Sequence, residues 1–203
     1  MRLFSYVVAR DFGFAPNPFH GVCTLATCKP RIRSVAQVGD WVVGTGSAER
    51  GRSGYLVYAM KVDEIMTFEE YWADPRFQQK KPNLRSSKKQ AFGDNIYSRR
   101  PGSDTWIQLN SHHSFKDGKP NPSNIKTDTS VNRVLIAHDY VYWGGSGPKI
   151  PAKFRNFRGI DICARRNHRS NFPRNFIEEF VAWVRSFGEH GYVAEPLDWG
   201  RTP

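Results

Sequence analysis

The sequence of 203 residues has no run of about 18 apolar residues, the length that a transmembrane helix requires. Residues 1–11 reach charged side chains after a very short apolar stretch and offer no small-residue cleavage site. We therefore expect no signal peptide and a cytoplasmic protein. Cysteine is scarce, since the chain has three, an odd number. This count argues against a disulfide scaffold and indicates a reducing compartment.

Acidic residues are also few, with 19 Asp and Glu against 30 Lys and Arg, so that the net charge is +11. The excess is concentrated in residues 76–100, with eight basic residues and one acid, and in residues 149–169, with seven and one. Aromatic residues are interleaved in both segments. Clustered cations beside aromatic rings are typical of nucleic-acid-binding surfaces, and an ordinary solvated basic surface is the alternative.

The two basic segments supply the candidate contacts to a nucleic-acid backbone. These candidates are Lys80, Lys81, Arg85, Lys88, Lys89, Arg155, Arg158, Arg165 and Arg166. Neither segment has the pattern of an amphipathic helix, so a nucleic acid or a nucleotide is the expected partner and a membrane is not.

Runs of strands and a few helices predict an α+β fold with a curved mixed sheet or a small barrel. Residues 41–46 and 55–65 predict a β-hairpin. Thr67 and Glu70 form a capping box before a short helix, and apolar residues at helical spacing over 176–187 predict a C-terminal amphipathic helix. We expect a single domain over residues 1–203, in which residues 76–104, without a clean period, form a long basic insertion that is functional or mobile.

Cys28 is the candidate nucleophile because it follows a predicted strand beside Lys29, Arg31 and Arg33, whose positive charge favours a thiolate. A structural cysteine is the alternative reading. Lys29 is a second candidate catalytic residue.

Two groups of residues could supply zinc ligands: His20, Cys23 and Cys28, and Cys163 with His168. For these cysteines, an ordinary thiol is favoured over a zinc ligand. Both groups lack the tighter spacing of zinc knuckles. The residues identify no cofactor.

Residues 138–148 combine aromatic, acidic and glycine residues at the end of a predicted central strand. Tyr140, Tyr142 and Trp143 are candidates to stack on a base, with Asp139 as a candidate acid or base; an aromatic plug under a loop is the alternative. His112 and His113 point to opposite faces of an extended segment, so that only one of them is expected to face a site, and a surface loop is the favoured reading. The chain shows no Ser/His/Asp order or other familiar catalytic motif.

Three motifs, at residues 11–18, 28–33 and 39–44, together with residues 139–145, resemble the nucleotide modification associated domain proteins of the second type. The resemblance covers nearly the whole chain. It implies a role in making or recognising modified bases, with the enzymes of a modification pathway as candidate partners, and base contacts by Asp11 and Asn17. The hairpin over 39–65 is also similar to PUA-like and EVE-type barrels, which bind modified bases.

Two functions follow from these observations. The first is an enzyme, or an accessory of one, that acts on a nucleobase or nucleotide, with DNA as the favoured polymer. The second is a non-catalytic PUA-like reader of modified bases in DNA or RNA. A basic protein whose loops order on an RNA or protein partner is a third reading.

Overall fold

The structure is a computed structural model that describes residues 1–164 and 167–200. The chain divides into two compact units. Unit 1 comprises Met1–Phe12, Ala36–Asp63 and Ala137–Pro203, and unit 2 comprises Gly13–Val35 and Glu64–Ile136. Each unit is therefore assembled from separate stretches of sequence. Within the described residues, no helix is long and apolar enough to cross a membrane.

Short strands and helices alternate irregularly along the chain. The described strands are β1 (Leu3–Val8), β2 (Cys23–Leu25), β3 (Trp41–Gly46), β4 (Leu56–Lys61), β5 (Glu64–Met66), β6 (Tyr97–Ser98), β7 (Ile107–Gln108), β8 (Val134–Ala137), β9 (Tyr140–Tyr142), β10 (His168–Arg169) and β11 (Gly191–Tyr192). The α-helices are α1 (Pro30–Val35), α2 (Phe68–Ala73), α3 (Lys88–Ala91), α4 (Pro122–Thr129), α5 (Ala152–Arg155) and α6 (Arg174–Arg185). Short 3-10 helices occupy Ala48–Arg50, Pro75–Lys80, Gly144–Ser146 and Leu197–Gly200.

Unit 1 is organised around a six-stranded mixed sheet with the strand order β10-β1-β3-β4-β9-β11. Strands β1 and β3 run parallel, whereas β3 pairs antiparallel with β4, and β4 with β9. The predicted hairpin and the mixed α+β architecture are thus confirmed. The described strands form no closed barrel.

Helix α6 contributes the apolar stripe that the sequence predicts at the C-terminus. Phe176, Phe180 and Val184 are buried in one cluster with Leu3 and Val43 from the sheet. Removing large apolar side chains from water is the main stabilising contribution to such a core. Helix α6 therefore packs its apolar face against the sheet of unit 1.

The glycine-rich turn after β9 is closely packed. A Cβ atom at Gly147 would lie 1.7 Å from the carbonyl oxygen of Leu56, and one at Gly144 would lie 2.1 Å from that of Glu195. Gly144 also has a φ of 53°, which is unfavourable for other residues. Close backbone approach explains these glycines without a phosphate-binding role.

Unit 2 contains a second sheet with the order β2-β8-β5 and a two-stranded ribbon of β6 and β7. Helix α2 begins at the predicted capping box, in which Thr67 and Glu70 satisfy each other's backbone N–H groups. The helix ends at Ala73, before Asp74 and Pro75.

Residues 76–104 form a structured part of unit 2, which includes α3 and β6. Phe77, Asp94 and Tyr97 are buried within this segment. The absence of a sequence period therefore reflects short elements and turns. That the segment is an insertion stays a prediction.

Candidate active site

Cys28 lies on a sharp turn between β2 and α1. Cys28 and the next residue, Lys29, have φ angles of 57° and 42°, in the left-handed region that side chains other than glycine rarely adopt. Such strained residues persist where the surrounding structure holds them, and they concentrate at functional sites. The Cys28 thiol is half-buried.

His113 is the residue that faces this thiol. Its Nε2 atom lies 3.6 Å from the Sγ atom of Cys28, and its Nδ1 atom lies 2.7 Å from Oδ2 of Asp128. The backbone of the histidine loop is held by hydrogen bonds from Gln108 and Asn124 to the carbonyl oxygen of His113. The three side chains therefore form a Cys–His–Asp arrangement in which the imidazole bridges sulfur and carboxylate.

Asp128 fixes the arrangement from the last turn of α4. Its side chain is only 2% exposed. Oδ1 accepts the backbone N–H of Cys28 at 2.7 Å, and Oδ2 accepts the Tyr97 hydroxyl at 2.8 Å as well as contacting His113. A buried carboxylate with several donors is held in one orientation, so it also fixes the orientation of the imidazole.

Arg33 stabilises the same turn through hydrogen bonds to backbone carbonyl groups. Its buried guanidinium donates to the carbonyl oxygens of Cys28 at 2.9 Å, Val131 at 2.8 Å, Arg133 at 2.6 Å and Asp128 at 2.5 Å. Burial lowers the pKa of Arg33 to about 10. Because this value is still well above 7, the guanidinium is cationic at neutral pH. A single side chain thus connects the turn that carries Cys28 to the end of α4.

The charge of His113 determines the chemistry available to Cys28. Burial lowers the pKa of His113, but its hydrogen bonds to Asp128 and Cys28 outweigh burial and raise the pKa to about 9. The imidazole is therefore cationic at neutral pH, and its Nε2 N–H faces the Cys28 sulfur. Burial raises the pKa of the other two thiols, Cys23 and Cys163, above the ordinary value.

The same three residues also satisfy the distance criterion for a metal site, since one donor atom from each lies within 4.8 Å of the others. However, His113 Nδ1 and both Asp128 oxygens are already engaged in the hydrogen bonds described above. An ion bound by all three residues would have to compete with these hydrogen bonds for Asp128, and zinc sites use three or four protein ligands. The geometry favours nucleophilic chemistry over metal binding.

Comparison with known proteins assigns the chain to a family. The family model described as nucleotide modification associated domain 2 matches residues 1–203, the whole chain. The chain belongs to this family. Searches of curated proteins and of solved structures each returned no match. The family's description links the domain to nucleotide modification, and the resemblance inferred from the motifs is confirmed.

The predicted catalytic residues of this nucleotide modification associated domain are divided between the two units. Cys28 lies at the centre of the arrangement, and Lys29 adjoins it, half-buried, with its pKa lowered by burial. Asp139 belongs to unit 1, where its carboxylate lies 2.9 Å from Arg185. The carboxylate that contacts the histidine is Asp128.

The predicted base-binding residues of unit 1 have packing contacts. Tyr140, Tyr142 and Trp143 are all nearly inaccessible to solvent. The Tyr142 hydroxyl donates to Asp11, and the Trp143 indole donates to Glu189. These contacts correspond to the aromatic plug that the sequence left as an alternative, and a role for the rings in base binding stays a prediction.

The predicted backbone-binding residues are also divided. Lys80 is fully buried, and its ammonium donates to Asn17 O at 3.0 Å, Asn17 Oδ1 at 2.7 Å and Val22 O at 2.9 Å. Lys81 lies over the Trp72 ring, and Arg155 pairs with Asp161. The exposed members are Arg85, Lys88, Lys89 and Arg158. Arg165 and Arg166 lie outside the described residues.

His113 and Asp128 are the functional candidates that sequence reasoning missed. Reading His112-His113 as a surface loop holds for His112, which is exposed, but not for His113. The sequence contains no Ser/His/Asp order, but it does contain Cys28, His113 and Asp128 in the corresponding order, with cysteine in place of serine. One usable signal was the alternation of the adjacent histidines, which places one of them inward.

Proposed function

We propose that this chain is an enzyme that modifies a nucleobase or nucleotide through a covalent bond to Cys28. The observation that carries this proposal is the contact of His113 with both the Cys28 sulfur and the buried Asp128 carboxylate. The family description supplies the substrate class, since it associates the domain with nucleotide modification.

The chemistry consists of two balanced steps at an electrophilic sp² carbon of the substrate. The Cys28 thiolate forms an S–C bond, and the electron pair of the bond that breaks leaves with the departing group. His113 donates its Nε2 proton to that group and becomes neutral. In the second step, neutral His113 takes a proton from water or an amine, which attacks the same carbon, and the C–S electron pair returns to the sulfur.

Proton donation by His113 is the main source of charge stabilisation in this scheme. In acyl transfer, the oxyanion is commonly stabilised by backbone N–H groups, including that of the nucleophile. Here the Cys28 N–H donates to Asp128 at 2.7 Å. A leaving group that accepts a proton directly therefore fits the site better than an oxyanion that depends on the Cys28 N–H.

Nucleoside mass spectrometry tests the proposal. DNA, RNA and the free nucleotide pool are analysed from cells that express the wild-type chain, Cys28→Ser or Cys163→Ser. An altered nucleoside with the wild type and with Cys163→Ser, but not with Cys28→Ser, is expected. Cys163 is the matched control because it is also a half-buried free cysteine. Unaltered nucleosides in all pools, or full modification by Cys28→Ser, would overturn the proposal.

The exposed cations Arg85, Lys88 and Lys89 favour a second candidate, a non-catalytic reader that grips a nucleic-acid backbone. A PUA-like pocket belongs to this candidate. A salt titration on single-stranded and duplex DNA or RNA is expected to show a steep negative slope of log affinity against log salt. Unchanged nucleosides together with tighter binding to modified polymer would favour the reader.

A further inference from the structure

A row of rings extends from the triad towards solvent in unit 2. The ring centroids of Phe14 and His113 lie 4.6 Å apart, those of Phe14 and His112 lie 5.2 Å apart, and those of Phe92 and His112 lie 5.3 Å apart. Phe14 is buried, Phe92 is half-buried and His112 is exposed. The four rings, defined here as the ring wall (Phe14, Phe92, His112 and His113), thus connect the catalytic imidazole to the surface.

Asn17 holds the backbone of this wall in place. Its side-chain amide donates to the carbonyl oxygens of Gly13 at 3.1 Å and Phe92 at 2.9 Å. The buried Lys80 ammonium in turn binds the Oδ1 atom of Asn17. Because Gly13 directly precedes Phe14, one amide fixes two ring-bearing segments that are far apart in sequence.

Positive charge accompanies the exposed end of the wall. Phe92 is the residue that caps the C-terminus of α3, a helix that begins with the exposed Lys88 and Lys89. A flat ring with an anionic group is the ligand chemistry that stacking surfaces and neighbouring cations recognise together.

On the basis of the proposed function, we infer that the solvent-open end of the ring wall, His112 with Phe92, is the substrate-binding surface and that it stacks on the base of a nucleotide. Lys88 and Lys89 then face the phosphate. The base is placed beside His113, and therefore beside the sulfur that lies 3.6 Å from it. This inference names the substrate as a base that carries at least one phosphate, free or at an accessible position in a polymer.

Calorimetric binding to the Cys28→Ser protein tests the wall without turnover. The ligands are dAMP, dGMP, dCMP and dTMP, with ribose 5-phosphate as the compound that has the phosphate but no base. At least one mononucleotide is expected to bind, and ribose 5-phosphate about tenfold more weakly, because it has no base to stack on the rings. Equal binding of ribose 5-phosphate, or no mononucleotide binding at low salt, would overturn the inference.

Two substitutions at the exposed end separate stacking from other effects. His112→Leu is expected to weaken mononucleotide binding about tenfold, whereas His112→Phe, which restores a ring, keeps it within about threefold. His138→Ala, at an exposed histidine of unit 1, is the matched control. Unchanged binding by His112→Leu would contradict the wall. The proposed function is judged separately by the Cys28→Ser nucleoside analysis, so each claim can fail alone.

Discussion

The Nδ1 atom of His113 lies 2.7 Å from Oδ2 of Asp128, a carboxylate that is almost fully buried. This pair determines which nitrogen of the imidazole faces the thiol and keeps the ring cationic at neutral pH. Removing the carboxylate charge is therefore expected to affect Cys28 through His113.

Asp128→Asn is expected to lower the pKa of His113 from about 9, since the carboxylate no longer opposes the effect of burial and only the contact with Cys28 still does. NMR titration of the His113 ring measures this change. Tyr97→Phe is the control, because it removes another hydrogen bond to Asp128 while leaving the charge. A His113 pKa that stays near 9 in Asp128→Asn would contradict the role given to the carboxylate.

Arg33→Lys is expected to destabilise the chain by about 2–4 kcal/mol, because an ammonium cannot reach all four carbonyl oxygens that the guanidinium binds. Urea unfolding measures the loss. Arg31→Lys, at an exposed neighbour, should change the free energy of unfolding by no more than about 0.5 kcal/mol. Equal effects of the two substitutions would show that Arg33 does not brace the turn.

Lys80→Met is expected to cost about 2–4 kcal/mol, because three buried oxygens lose their donor. Lys88→Met, at an exposed lysine of the same segment, is the matched control and should have little effect. A comparable loss in both variants would argue against a special structural role for Lys80.

The stability contribution of Lys80 also depends on pH. Burial lowers the pKa of Lys80 from 10.5 to about 8 in the folded chain. Between about pH 8 and 10.5 the unfolded chain holds the proton that the folded chain has lost, so the contribution of Lys80 to stability rises with pH. The difference in unfolding free energy between wild type and Lys80→Met should therefore grow across this range, and a constant difference would contradict the lowered pKa.

Local patterns were sufficient to predict several elements of the fold. The apolar spacing of α6, the capping box of Thr67 and Glu70, and the β3–β4 hairpin all depend on residues close in sequence. Contacts between residues far apart in sequence could not be predicted in this way. Strand β9 lies inside the six-stranded sheet, between β4 and β11, so its aromatic residues are covered. Lys80 was likewise counted as a surface cation although its partners, Asn17 and Val22, are about 60 residues away.

The sequence neighbours of Cys28 were enough to make it a candidate nucleophile, because nearby basic residues favour a thiolate. Its partners could not be found in the same way. His113 and Asp128 are 85 and 100 residues away from Cys28, and no local spacing connects them. Asp128 also lies in a largely polar helix, α4, in which it is the only buried residue. Only the fold brings these three side chains together.

The alkylation rate of Cys28 at pH 7 tests the central claim most directly. Iodoacetamide labelling of each cysteine is followed over time by peptide mass spectrometry in wild type and in His113→Ala. We predict that Cys28 reacts at least about tenfold faster than the half-buried Cys163, and that His113→Ala removes most of this advantage. Equal rates at Cys28 and Cys163 in the wild type, or an unchanged Cys28 rate without the imidazole, would contradict a nucleophile activated by His113.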